Sequence, residues 1–263
     1  MNTKKCTSCG NEIDITQMIC GTCGWQFLSP TLSATRPGAI AGRGQTLARG
    51  VTRPNWICRD ACQLAVIIRD KSGSMRGQKA RDASSASLDL VKVLADPSNK
   101  DGFYCAVVDF DSTARIIHPA TKATELVGHM AELKPGFHAG KTNITSGLKK
   151  ASEIISDFTS VDTDTRKPLR PVCLLFSDGG HNVGERPDAI SNSLKTNADL
   201  ICIAFGDRAD EDKLRQWASP NLFTRCASGS ELRKFFAAVG ATMQATRARG
   251  INATQALANL GAP

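Results

Sequence analysis

Between residues 56 and 240, strand-like and helix-like segments alternate. This predicts an α/β fold, an open, mostly parallel six-stranded sheet with one antiparallel edge strand and helices on both faces. Two further observations sharpen that expectation. The apolar run Leu64-Ala65-Val66-Ile67-Ile68 breaks off into a polar loop, Asp70-Lys71-Ser72-Gly73-Ser74-Met75, and helical spacing follows, as at the carboxyl end of a central strand. Ahead of this region stand two closely spaced cysteine pairs and then a Pro/Gly/Ala-rich stretch, the arrangement of a small separate domain on a tether.

The elements follow in order. Cys62 to Arg69, built around the apolar run Leu64 to Ile68, is of strand length, and Gln78 to Leu94 carries apolar residues at helical spacing. Phe103 to Phe110 and Ala114 to His118 flank the short turn Asp111-Ser112-Thr113, which predicts an antiparallel hairpin with its second strand at the sheet edge. Thr121 to Leu133 and Asn143 to Phe158 read as helices. Val172 to Phe176, Leu200 to Phe205 and Leu222 to Arg225 are strands, with helices over Ala189 to Thr196, Asp210 to Ala218 and Ser230 to Val239. The segment 241–263 has Ile251, Leu257 and Leu260 at loose helical spacing and reads as a tail or weak helix.

Three of the loops share one chemistry. Asp70, Ser72 and Ser74 offer three hard oxygens on a single turn that Gly73 lets close tightly, a ligand set suited to magnesium or manganese. Gly140-Lys141-Thr142-Asn143 adds a hydroxyl before a helix. Ser177-Asp178-Gly179-Gly180 adds a second carboxylate after a strand. Asp-x-Ser-x-Ser, then Thr, then Asp-Gly, in that order, resembles the metal-ion-dependent adhesion site, and Trp56 to about Gly240 resembles a von Willebrand factor A (vWA) domain of Rossmann-like architecture. The resemblance implies that Ser72, Ser74 and Thr142 ligate Mg²⁺ (or Mn²⁺) through their hydroxyls. Asp70 and Asp178 then act mostly through water, and an Asp or Glu of a partner protein completes the coordination. Lys141 stands where many relatives have glycine.

Lys71, Arg76 and Lys141 lie in or beside these loops, and His138 and His181 lie close by in sequence. As a rim of cations they would favour an approaching carboxylate. No nucleophile, base and orienting group can be assembled from the motifs, so a binding protein is expected rather than an enzyme. The rival from catalysis is a metal-dependent phosphoester hydrolase with His138 or His181 as general base on metal-bound water.

Cys6-Thr7-Ser8-Cys9-Gly10 and Cys20-Gly21-Thr22-Cys23-Gly24 are two C-x-x-C-G knuckles. Facing one another, they would close a tetrahedral site of four thiolates, which predicts a structural Zn²⁺ ribbon over 1–28 held by Cys6, Cys9, Cys20 and Cys23. Its few apolar residues are too small a core to fold alone, so the metal would supply the folding energy. Residues 29–55 read as a flexible basic linker, 56–240 as the vWA domain. Cys105, Cys173, Cys202 and Cys226 read as small hydrophobes of the core.

The chain has 263 residues, 41% of them hydrophobic, and a net charge of +8. Residues 1–55 carry +4 of that, the 185-residue vWA stretch only +2 and the tail +2, so the large domain is not itself a polybasic surface. No run approaches the ~18 apolar residues of a membrane span, and a cytoplasmic location without a membrane role is expected. A vWA domain joined to a zinc ribbon is similar to the TerY-type proteins of bacterial tellurite-resistance and stress systems. That resemblance implies an interaction element working with Ser/Thr kinases or protein phosphatases of the 2C type. The alternative is a nucleic-acid-associated factor in which the ribbon and linker contact phosphates.

Overall fold

The computed structural model describes residues 3–5, 12–14, 61–136, 140–160, 166–178, 180–207 and 209–260. The chain divides into two compact units, residues 1–52 and 53–263. In the first, β1 (Thr3–Lys5) and β2 (Glu12–Asp14) pair antiparallel, with Thr3 opposite Asp14 and Lys5 opposite Glu12. Cys6, Cys9, Cys20 and Cys23, expected to bind zinc, and the linker over 29–55 lie outside the described residues.

The second unit is built on β3 (Ala61–Asp70), β4 (Phe103–Phe110), β5 (Ala114–Lys122), β6 (Lys167–Pro168), β7 (Val172–Ser177), β8 (Asp199–Phe205) and β9 (Phe223–Cys226). Six of these run across the sheet in the order β5-β4-β3-β7-β8-β9, and the two-residue β6 pairs with the start of β3, making seven strands where six were expected. All neighbours are parallel except β4 and β5. All ten residues of β3 are buried, as a central strand covered on both faces requires.

The period of two along β3 sorts the core into two layers. Ala65 and Ile67 face a layer containing Leu90, Leu94, Phe236 and Met243 from α1 (Gln78–Leu94) and α6 (Gly229–Ala248). Leu64, Val66 and Ile68 face Leu148, Ile155, Leu194 and Trp217 from α3 (Ile144–Ser160), α4 (Asp188–Asn197) and α5 (Glu211–Trp217). Each helix thus buries one stripe against the sheet.

Two elements depart from the sequence-based expectation. The edge strand β5 does not stop at His118 but pairs on to Lys122, opposite Tyr104, through irregular register around Val107. An outermost strand tolerates Pro119 because one of its sides has no ladder to donate to, so the proline did not mark an end. The helix expected from Thr121 is correspondingly short: α2 (Ala123–Leu126) passes into a 3₁₀ segment, Val127–Leu133, kinked at His129.

The second departure is at the C-terminal side. Gly240, read as the end of the domain, lies in the middle of α6, which continues to Ala248. A side chain at 240 would come within 2.8 Å of Val93 and 3.2 Å of Leu90, so this glycine is the close approach between α1 and α6. The chain then adds α7 (Thr254–Ala258), and Ala253 and Leu257 join the core. Arg170 anchors this end of the sheet. Its guanidinium donates to the α4 carbonyls of Lys195 and Thr196, to the Ala198 carbonyl and to Asp199, while its backbone N–H donates to Asn252. A cation at a helix C-terminus complements both the unpaired carbonyls and the dipole.

Candidate metal centre

The loop after β3 is shaped by its own first residue. Asp70 Oδ1 accepts the Ser72 backbone N–H at 2.8 Å, an Asx-type bond that curls the chain into the short 3₁₀ turn Gly73–Met75. Asp70 Oδ2 accepts the Ser177 hydroxyl at 2.5 Å, which ties the end of β3 to the end of its parallel neighbour β7. On this turn Ser72 Oγ and Ser74 Oγ stand 3.1 Å apart, and Ser74 Oγ donates to Asp178 Oδ1 at 2.6 Å. Asp70, Ser72, Ser74 and Asp178 therefore form one continuous hydrogen-bonded chain.

Thr142 is brought to the same edge by backbone bonds. Gly73 N–H donates to the Gly140 carbonyl at 3.2 Å, and Asn182 N–H donates to the Thr142 carbonyl at 3.0 Å. The Asn182 side chain returns the bond, accepting from Thr142 N–H at 2.9 Å. A Cβ at 140 would lie 3.0 Å from both Asp111 and Ser112 in the β4–β5 turn, so the glycine lets this loop approach that turn closely. All three loops expected to carry ligands are thus stitched together at the carboxyl edge of the sheet, where ligands of open α/β sheets bind.

The electrostatics suit a cation. Asp70, Ser72, Thr142 and Asp178 are buried, whereas Ser74 is exposed at the mouth. Burial pushes the Asp70 carboxyl up from the usual carboxylate range, and the charge of Asp178 adds to that, against hydrogen bonds from Ser177 and Ser72 that favour ionisation. A divalent ion beside Asp70 would reverse that balance. The donor set is all oxygen, and adjacent ligands of an octahedral Mg²⁺ at 2.0–2.1 Å would themselves lie about 3 Å apart, close to the spacing of the two serine hydroxyls. The residues present fit such an ion.

The expected rim of cations is only partly found. Arg76 and Lys141 are exposed, Arg76 donating from Nε to the Gly73 carbonyl at 3.0 Å. Lys71 is not a rim residue: it is 6% exposed and turns inward, with Nζ 3.9 Å from Asp109. Burial, with the Arg69 cation nearby, pulls its ammonium down to about 8 although Asp109 opposes this. Asp109 meanwhile takes a two-pronged bond from the buried Arg69, at 2.6 and 2.9 Å. His181 is likewise engaged within the fold rather than standing at the rim. Its Nδ1 accepts the Ile144 N–H at the start of α3 (3.2 Å), its Nε2 is buried, and its ring packs edge-on to Trp217. His138 lies outside the described residues.

Besides Asn182, two participants went unread in the sequence. Ser177 was noted only as the neighbour of Asp178, yet its hydroxyl holds Asp70. Lys79, the second residue of α1, ion-pairs with Asp178 Oδ2. Helical side chains lean toward their own N-terminus, so a residue in the first turn reaches back over the loop that precedes it, and that was the available signal.

A family model for the von Willebrand factor type A domain matches residues 65–238. The chain belongs to the vWA family. It is 31% identical over 149 residues to human inter-alpha-trypsin inhibitor heavy chain H4, and 27% identical over 151 residues to human calcium-activated chloride channel regulator 4. Those matches cover 54% and 57% of this chain but 15% of each relative. Among solved structures, the fold is shared with proximal thread matrix protein 1 of the mussel byssus, in a form with a zinc-occupied adhesion-site motif (TM-score 0.56, 21% identity, 73% of this chain and 49% of that one). It is also shared with the pilus adhesin SpaC of Lactobacillus rhamnosus GG (TM-score 0.59, 12% identity, 71% and 31%).

Proposed function

We propose that the protein is a metal-dependent protein-interaction adaptor whose vWA domain captures an acidic residue of a partner. The observation that carries this reading is the convergence of Ser72, Ser74, Thr142, Asp70 and Asp178 from three loops, with Ser74 open to solvent. In this reading the three hydroxyls hold Mg²⁺ or Mn²⁺ and the two carboxylates support it largely through water. The bound ion supplies a Lewis-acidic position that a carboxylate oxygen can enter. Arg76 and Lys141, both exposed, favour the approach of an acidic surface. The zinc-occupied motif of the byssus protein supports a divalent ion at the equivalent place.

A binding role is favoured over hydrolysis by the state of His181. A general base needs a ring nitrogen facing the water it activates, and this ring spends Nδ1 on a backbone N–H and buries Nε2. The wider assignment combines a zinc ribbon on Cys6, Cys9, Cys20 and Cys23, a cytoplasmic setting, and a bacterial stress or tellurite-resistance system with kinase or 2C-type phosphatase partners. It is supported by sequence motifs and resemblance alone.

Affinity capture from the native host, with wild type beside Asp70→Ala/Ser72→Ala, tests the reading. The expected result is a protein retained by wild type in Mg²⁺ and lost both from the double variant and after EDTA washing. Retention that ignores the variant and the chelator would move recognition away from this site. Nucleic acid lost on deleting residues 1–55 would favour the ribbon-and-linker alternative.

A further inference from the structure

Lys79 is the least expected group at the centre. It occupies the first turn of α1, where the helix dipole disfavours a cation, and no acidic side chain in that turn offsets it. What compensates it is Asp178: the ammonium donates to Oδ2 while Ser74 Oγ donates to Oδ1, so both carboxylate oxygens are engaged. Asp178 is 1% exposed and Lys79 28%, which makes this the only counter-ion pairing of a buried site carboxylate among the described residues. The stem of Lys79 is also housed. Gly206 (φ +85°) closes the loop after β8, and a Cβ there would lie 3.3 Å from Lys79 Cε and Nζ. The other buried cations near the site, Arg69 and Lys71, are turned to Asp109 instead.

We propose that Lys79 is a fixed counter-charge of the metal centre that keeps Asp178 compensated and weakens the hold of the site on a bare divalent ion. This rests on the metal-site reading above. With Asp70 and Asp178 ionised, Lys79 leaves the protein side of the centre with one net negative charge rather than two, so a bound divalent ion stays in positive excess. That excess is what an incoming carboxylate would neutralise. Removing the ammonium therefore has two opposed consequences: the ion-free protein loses the partner of a buried carboxylate, and the site gains attraction for the ion.

The test uses the full chain as wild type, Lys79→Met and Lys79→Arg, each dialysed free of loosely bound divalent ions. Mn²⁺ affinity is measured by calorimetry and thermal stability is measured without Mn²⁺. Lys79→Met is expected to melt lower than wild type yet bind Mn²⁺ about tenfold tighter. Lys79→Arg, which keeps the charge, is expected to stay within about threefold of wild type in affinity. A lower melting point with unchanged or weaker Mn²⁺ binding in Lys79→Met would overturn the inference and leave Lys79 a structural residue. Wild type binding no Mn²⁺ would instead overturn the metal-site reading beneath it.

Discussion

Asp109 and Lys141 show what a single side chain decides in this fold. Arg69 is 1% exposed, and the Asp109 carboxylate meets it in a two-pronged bond, so truncating the acid strands a buried guanidinium. Asp109→Ala is expected to cost about 3–5 kcal/mol in urea unfolding, whereas an exposed acid such as Glu153 replaced by Ala should change stability by less than about 0.5 kcal/mol. At the mouth of the site, Lys141→Glu is expected to slow partner association, with the difference shrinking as salt is raised, because rim charges act mainly on encounter. Surface resonance kinetics at two ionic strengths would register it. The loops that carry Asp70, Ser72, Ser74, Thr142 and Asp178 could be singled out in the sequence because hydroxyls and carboxylates in that order form a motif that depends on residue type. Lys71 and His181 were misread because the sequence names a side chain without its direction. Lys71 could reach Asp109 only once β3 and β4 were side by side, and His181 met an α3 amide 37 residues away.

Helices and strands were legible to the extent that their apolar period was uninterrupted. α1 and β4 were read at their observed limits, since each is an unbroken run between turn-forming residues, Gly77 and Asp96-Pro97 for α1, Gly102 and Asp111 for β4. α6 was cut short at a glycine that serves packing, and β5 at a proline that an edge strand accommodates. Gly240→Ala is expected to destabilise the protein by about 1–3 kcal/mol, because the added methyl meets Val93 and Leu90 with no void to enter. Thermal or denaturant unfolding would show it. The strands carry a second signature in their thiols. Burial pushes Cys105 and Cys226 up to about 12, and Cys173 and Cys202 are pushed up as well, from about 9 in the unfolded chain. Between those values the unfolded chain releases protons that the native protein retains, so each thiol's contribution is full below pH 9 and is lost as pH rises toward 12. The stability of wild type should therefore fall more steeply above pH 9 than that of Cys105→Val, by up to about 1.4 kcal/mol per pH unit.

For the molecule as a whole, two buried layers hold a mostly parallel sheet so that three loops distant in sequence meet at its carboxyl edge. That convergence was readable in outline, since alternating elements imply where strand ends collect. The network within it was not, because Lys79, Ser177 and Asn182 act through geometry that only the folded sheet creates. The central claim is that the convergence is a metal site, and a Mn²⁺ titration of the dialysed full chain followed by electron paramagnetic resonance tests it most directly. Wild type is expected to take up one Mn²⁺ per chain, and Ser72→Ala/Thr142→Ala, still folded by circular dichroism, to take up none. Equal uptake by the folded double variant would contradict the claim.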